Sequence, residues 1–495
     1  MERVSSPERA FSSDRATELL REGVQTMRKI AGFCCVFALT FGALASFAAS
    51  KPKVFLKSTL KGSPVKKGSI KYLGPDHFKL NNLKAQNHLS TAMNQKIATM
   101  QKSATYKNCA GIITVPCFSS WFITGYRNSV YTYTMVGQSP TAGGTTTIPT
   151  HVIPLETWLI GPDGQTVLYD FNPLALGNNQ PFSPLNDVQL LTEGPIFASN
   201  PYPGGGGLAA DTGQYNDTGF RASFNGVKKA NWHTLLGHPT LPDNNYVQVL
   251  FFNNGDWTCL FGSGPPCASG DFPVVNINSI NNIFLQLLGP GNENVPSTEI
   301  PIIETDFVTA FDPSGGCCIL GFHDARQGNE GPNAINVWTW GTFIPKANNP
   351  FAPFGDDVMV LTHETSELYH DPFVETSGLI GIVLVAPWVD GSVSFAQANL
   401  ETGDAVEAMN ASDVIFPITQ NTSGGPYTYS EQNVAILEWF TRNPKAAPCG
   451  YVRNCGRGGL GVYSWPDTKV LNAGHDPNGW GYGEAPAGFF FGPPF

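Results

Sequence analysis

Several signatures are missing from this sequence, and each absence removes a class of function. There is no Gly-x-Ser-x-Gly elbow, so the nucleophile motif of the α/β-hydrolases is absent. A Ser–His–Asp triad scattered along the chain stays open, but nothing points to one. The glycine run from Gly204 to Gly207 lacks the Gly-Lys-Ser/Thr ending of a phosphate-binding loop and reads as connecting chain. Two short Cys-x-x-Cys pairs are absent, which removes a zinc ribbon. No internal repeat recurs at solenoid periods. Charge is scarce, at 14% of residues, and no basic stretch carries interleaved aromatics or a nucleic-acid motif. A nucleic-acid partner is therefore not expected.

What charge there is divides unevenly. Residues 51–108 hold 12 lysines, no arginine and one acid, Asp76, whereas residues 109–495 hold 11 basic and 33 acidic side chains. The Lys-rich stretch reads as a solvated arm lying on its own acidic body, or as a leader removed on maturation. Ahead of it, Arg28 and Lys29 precede an apolar run, Ile30 to Phe47, that ends among Ala45, Ala48, Ala49 and Ser50. This is the order of a secretory signal, with Met27 as the start or with a long n-region. The run is nearly long enough to anchor an uncleaved chain, but its small residues sit where a peptidase needs them. A secreted protein with no further membrane span follows, and a monomer is expected.

Ten cysteines occur, eight of them beyond the signal. An even number in an exported chain reads as disulfides. Cys109/Cys117, Cys259/Cys267 and Cys449/Cys455 are close enough to staple local loops. Cys317 and Cys318 are adjacent and either bond to each other or reach elsewhere.

With 53 Gly, 39 Pro, 33 Phe and 15 Tyr, the chain favours a turn-rich, strand-rich body over a helical bundle. The fold class expected is α+β, with a β-sandwich-like N-terminal part and a sheet-plus-helix part. Leu89, Met93, Ile97 and Met100 predict an amphipathic helix over 83–104. Strands are expected over 119–136 and in a hairpin over 151–169 turning at Gly161-Pro162-Asp163-Gly164. Residues 277–287 read as strand or short helix, and Ile380 to Val389 as an apolar strand. The regions expected are 1–50, 51–108, 109–190, 191–445 and a Gly/aromatic-rich tail over 446–495.

The densest chemistry lies between Gly355 and Pro372. Asp356 or Asp357 can cap a helix there, and Pro372 should end it near His370. His363, Glu364, Glu367, His370 and Asp371 crowd its last two turns. His363 and Glu367 are one turn apart, with Glu364 beside them. The zinc-hydrolase helix reads His-Glu-x-x-His, its two histidines holding the metal and its Glu activating water. Here Glu367 replaces the second His. A carboxylate remains a legitimate zinc ligand, although it makes calcium or manganese less implausible. Glu367 with His370 is an alternative pair, whereas His363 and His370 lie too far apart to share an ion. The further ligand is sought among His323, Asp371, Glu401 and Asp404. The competing reading is that these are solvated residues on a helix face.

The stretch Thr362 to Pro372 resembles the Ser-His-Glu-x-x-Glu-x-x-Thr-Asp-Pro signature of a set of secreted microbial proteins that is distantly similar to the plant exordium/phosphate-induced proteins. Gly321-Phe322-His323, Trp388-Val389-Asp390 and Leu400-Glu401-Thr402-Gly403-Asp404 match further segments of that set. So do Gln214-Tyr215-Asn216-Asp217 and Arg221-Ala222-Ser223-Phe224, and together the matches span about residues 190–410. The resemblance implies a zincin-like part over 191–445. It marks His363, Glu364, Glu367, Asp371, Glu401 and Asp404 as shared polar positions, with His323 beside them. His370 departs from it, standing where the set has Thr. The resulting expectation is an exported, zinc-dependent hydrolase acting on peptide or another extracellular polymer, with Glu364 as base. The alternative is a non-catalytic secreted binding protein whose cluster is a structural calcium site.

Overall fold

The computed structural model describes residues 53–58, 71–72, 109, 111–123, 130–205, 208–226, 228–241, 247–290, 293–313, 316–352, 355–373, 400–407, 414–440 and 464–468. The signal segment, the helix expected over 83–104, Cys449 and Cys455, Trp388 and Asp390, the strand expected over 380–389 and nearly all of the tail lie outside these residues. The described elements belong to one compact unit, Pro52–Phe495.

Seven strands form the main sheet: β1 (Lys53–Lys57), β2 (Thr150–Ile160), β3 (Val167–Phe171), β4 (Val247–Phe252), β5 (Ile300–Asp306), β6 (Gly321–Gln327) and β7 (Ile335–Phe343). Their order is β1–β4–β2–β5–β7–β6, with β3 paired onto β2. β1, β4, β2, β5 and β7 run parallel, and β6 and β3 are antiparallel to their neighbours. β5 and β7 are buried along their whole length, as parallel strands covered on both faces must be.

The helices among the described residues include α1 (Asp187–Glu193), α2 (Tyr215–Ser223), α3 (Ile277–Leu287), α4 (Met359–His370) and the single turn α5 (Asp404–Glu407). Two of them cover opposite faces of the β6–β7 edge. α3 begins at Asn276, whose side chain accepts from the backbone N–H of Asn278, and buries Ile277, Ile280, Ile283, Phe284 and Leu287. Phe284 packs on Phe322, Trp338 and Trp340, with ring centroids 5.7–6.2 Å apart. Neighbouring strand residues point to opposite faces, so Gly321, His323 and Gly341 face the other way, toward α4.

That second face is built for close approach. Gly321 and Gly341 are cross-strand partners. A Cβ on Gly321 would lie 2.6 Å from Val360 Cγ1 and 2.8 Å from Glu364 Cγ, and one on Gly341 would lie 2.8 Å from Leu361 Cδ2. α4 therefore rests on bare backbone, which brings Glu364 down to the level of His323. A hairpin of β8 (Ile415–Thr422) and β9 (Gly425–Gln432) closes over the helix. The backbone N–H of Gln432 donates to Thr362 Oγ1 at 3.1 Å.

The strand-rich α+β character matches expectation, but the described residues of 109–190 do not form a β-sandwich. β2 lies inside the main sheet, paired with β4 and β5 from beyond residue 190, while Cys117–Ile123 and Val130–Val136 make a separate two-stranded sheet. β2 is buried on both faces, so it needs neighbours and covering layers that its own region does not supply. Residues 277–287 resolve as helix. The helix expected to be capped by Asp356 or Asp357 starts at Met359 behind Val358, with no side-chain cap. The Asp357 carboxylate is engaged instead by Lys346 Nζ at 3.1 Å and the N–H of Ser430 at 3.0 Å. The end at His370 falls where Pro372 places it.

Disulfides join Cys109–Cys117, Cys259–Cys267 and the adjacent Cys317–Cys318. Among the described residues no helix is long and apolar enough to cross a membrane.

Candidate metal centre

All twelve residues of α4 are buried, so its acids and histidines are not a solvated face. The helix presents His363, Glu364 and Glu367 toward two other elements. β6 supplies His323 from the sheet beneath, and residues 400–404 supply Glu401 and Asp404. The 400–404 segment is tied to the helix turn by turn. Glu367 Oε1 accepts from the N–H groups of Gly403 and Asp404 at 3.0 and 3.1 Å, Ser366 Oγ lies 3.2 Å from Thr402 Oγ1, and the N–H of Leu400 donates to the Asp371 carboxylate.

The potential donor atoms converge. His363 Nε2 lies 3.2 Å from Glu367 Oε2, 3.7 Å from Asp404 Oδ1 and 3.9 Å from Glu364 Oε1. His323 Nδ1 lies 3.4 Å from Glu364 Oε2 and 3.5 Å from Glu367 Oε2. Two groups of three mutually close donors result, His363–Glu367–Asp404 and His323–Glu364–Glu367. Four N or O ligands about 2.1 Å from a zinc ion in a tetrahedron stand about 3.4 Å apart. These separations are close to that spacing, and the mixture of imidazole and carboxylate is a zinc-type donor set.

The tautomers sharpen the fit. Gln432 Nε2 donates to the carbonyl of Gly403 at 2.9 Å, so its Oε1 faces His363 Nδ1, 3.0 Å away, and accepts its proton. Nε2 of a neutral His363 is then a lone pair facing carboxylate oxygens. His323 repeats the arrangement: Nε2 donates to the carbonyl of Asp371 at 3.2 Å, with Glu401 Oε2 at 3.8 Å behind it, and Nδ1 faces Glu364 and Glu367. Metal-ligating histidines are held in this way, one ring nitrogen fixed by an acceptor and the other left for the ion. Facing acceptors repel unless a proton or a cation lies between them.

The ionisation follows from burial set against these neighbours. Burial pushes Glu364 up, and the two imidazoles only partly offset it. Burial also acts on Glu367, but His363 and His323 prevail and hold it well below the usual carboxylate range. Glu401 is raised well above that range by burial and by the charge of Glu367. Burial disfavours a charged His323, yet Glu401, Glu364 and Glu367 outweigh it and raise the imidazole well above its ordinary value.

Of the residues singled out in the sequence, His323, His363, Glu364, Glu367 and Asp404 are brought together. Glu401 backs His323. Asp371 contributes its carbonyl to His323, while burial raises its carboxyl to about 7. His370 is placed elsewhere. Its Nδ1 donates to the carbonyl of Ser366 at 2.8 Å, its Nε2 meets Ser223 Oγ at 3.1 Å, and its ring packs edge-on against Phe220. Burial lowers it to about 4, so it is a neutral core histidine.

Two further residues serve the site without having been named as candidates for it. Gln432 belongs to no motif, and only the pairing that ends β9 against α4 brings it to His363. Gly403 leaves room for the imidazole, since a Cβ there would lie 2.6 Å from His363 Cγ and 2.7 Å from Cε1. Its signal was the Gly between Glu401 and Asp404, a position where a side chain is not tolerated. Comparison of the chain with protein-family models, curated proteins and solved structures found no match, so the chemistry of the site rests on its residues.

Proposed function

We propose that this chain is an exported metal-dependent hydrolase, with zinc as its ion and peptide or another extracellular polymer as its substrate. The observation that carries this reading is the placement of His363, with Nδ1 on Gln432 Oε1 and Nε2 facing Glu367 Oε2 and Asp404 Oδ1. His363, Glu367 and Asp404 would hold the ion. When bound, zinc supplies Lewis-acid polarisation of a carbonyl and lowers the pKa of a water. Glu364, adjacent to His363 on the helix and raised by burial, takes and returns the proton, as a general base with an elevated pKa does. Gln432 holds the His363 tautomer. The signal-like segment and the disulfides support export.

Metal analysis of the purified protein tests the reading. Stoichiometric zinc that disappears in His363→Ala is expected, and Glu364→Gln should retain zinc while losing about 10²–10⁴-fold in hydrolysis. A second reading is favoured by the burial of every cluster residue: a secreted binding protein in which the same groups hold a structural cation, calcium included. Chelator-sensitive stability with no hydrolysis of casein or peptide libraries would select it.

A further inference from the structure

We propose that the centre has a second cation position, formed by His323 Nδ1, Glu364 Oε2 and Glu367 Oε2, and that filling it stops hydrolysis by converting Glu364 from proton acceptor to ligand. The inhibitory half rests on the hydrolase reading above; the cation position does not.

The donors divide into two groups that meet at one atom. Glu367 Oε2 is 3.2 Å from His363 Nε2 on one side and 3.5 Å from His323 Nδ1 on the other. Its Oε1 is anchored by two backbone N–H groups, so Oε2 is the oxygen left to face both imidazoles. In the second group, His323 Nδ1 stands 3.4 Å from Glu364 Oε2. These are tetrahedral ligand separations, like those of the first group. His323 is also oriented as a ligand, with Nε2 on the Asp371 carbonyl, Glu401 behind it, and Nδ1 directed inward.

Charge points the same way. Glu364, Glu367, Glu401, Asp371 and Asp404 place five carboxyl groups around two imidazoles, all buried. With one dication at His363–Glu367–Asp404, the buried Glu364 carboxylate beside His323 still needs a proton or a second cation to meet it. One nitrogen and two carboxylate oxygens suit a borderline dication such as zinc, cobalt or manganese better than calcium, which takes six to eight oxygens. The competing arrangement is a protonated His323 paired with Glu364 and Glu367, which needs no second ion.

The experiment is a zinc titration of the full chain, stripped beforehand with chelator, following bound zinc and peptide hydrolysis together. Two ions per chain are expected, the second weaker, with hydrolysis rising on the first equivalent and falling on the second. His323→Ala should lose the second equivalent and keep the first, and excess zinc should no longer depress its remaining activity. Saturation of the unaltered chain at one ion, or a His323→Ala protein that still binds two, overturns the proposal. Should that variant not fold, cobalt(II) added to the unaltered chain decides. A second equivalent must alter the paramagnetic signal of the first, because the two positions share Glu367, and a signal left unchanged overturns the proposal. Two bound ions without any hydrolysis would uphold the position, overturn its inhibitory role, and count against the hydrolase reading separately.

Discussion

Two buried acidic clusters lie on the same face of the main sheet, and they are built in opposite ways. One is the His363–Glu367–Asp404 centre with His323 and Glu364. The other gathers Glu304 and Asp306 of β5 with Asp187 at the start of α1. Glu304 pairs in register with Gly341, the residue on which α4 rests, so it shares the helix-bearing face. In the carboxylate cluster, carboxamides supply the donors. Asn178 Nδ2 reaches Asp187 Oδ2 and Asp306 Oδ2 at 3.3 and 3.2 Å, and Asn179 Nδ2 reaches Asp187 Oδ1 at 2.7 Å. Burial, reinforced by Asp306, raises Asp187 to about 8, and burial raises Asp306 to about 7. Glu304 is raised well above the usual range by burial, and neither of its oxygens has a hydrogen-bond partner among the described residues. This cluster meets burial by keeping protons. The other sets His363 Nε2 and His323 Nδ1 against its carboxylates. Acid density alone therefore does not set the proposed metal centre apart; its two acceptor-held imidazoles do.

The largest effect that could break this contrast is cation removal. Chelation should abolish hydrolysis and lower the melting temperature, and Asp306→Asn should leave that chelator sensitivity intact. If Asp306→Asn erased it, the two clusters would have been assigned the wrong way round. Next, Gly403→Ala puts a methyl group into the His363 ring. Overpacking of this kind destabilises by about 1–3 kcal/mol, and zinc content should fall with it.

Proton linkage separates the clusters more finely. His370 is lowered to about 4 from an ordinary 6.5, so the unfolded chain binds its proton first as pH falls. The stability it contributes is present above pH 6.5 and is lost as pH drops toward 4, about 3 kcal/mol in all. In His370→Leu, denaturant midpoints measured across that window should lose this slope. Asp187 and Asp306 behave oppositely. Their values, raised from 3.8, make stability fall as pH rises from about 3.8 until 7 and 8 are passed, and Asp306→Asn should flatten that decline. The smallest effect expected is in Gln432→Leu, which frees the His363 tautomer and should weaken zinc binding about 10–100-fold with the fold retained. Unchanged affinity there would remove Gln432 from the site.

Much of the centre was legible in the chain itself. The one-turn spacing of His363 and Glu367 and the stop imposed by Pro372 are local facts, and local facts survive folding. His323, Glu401 and Asp404 could be named as candidates because the segments that hold them match the set of proteins that the helix resembles. What could not be read was long-range. Asp357 is a good cap by type, but Lys346 and Ser430 compete for its carboxylate from elsewhere in the chain. β2 reads as a hairpin strand, but its position inside the sheet is set by β4 and β5, which follow it by some ninety residues or more. Gln432 carries no signal until the β8–β9 hairpin closes. His370 stands in the motif and points away from it, because Ser223 and Phe220 of α2 take its ring.

The central claim is that the His363 lone pair, fixed by Gln432, faces Glu367 and Asp404 to hold an ion. Its most direct test is the zinc content of the purified chain beside that of His363→Ala at neutral pH. Stoichiometric zinc in the first and none in the second is the result expected. A chain that carries no zinc and takes none up, or one whose zinc survives His363→Ala, would contradict it.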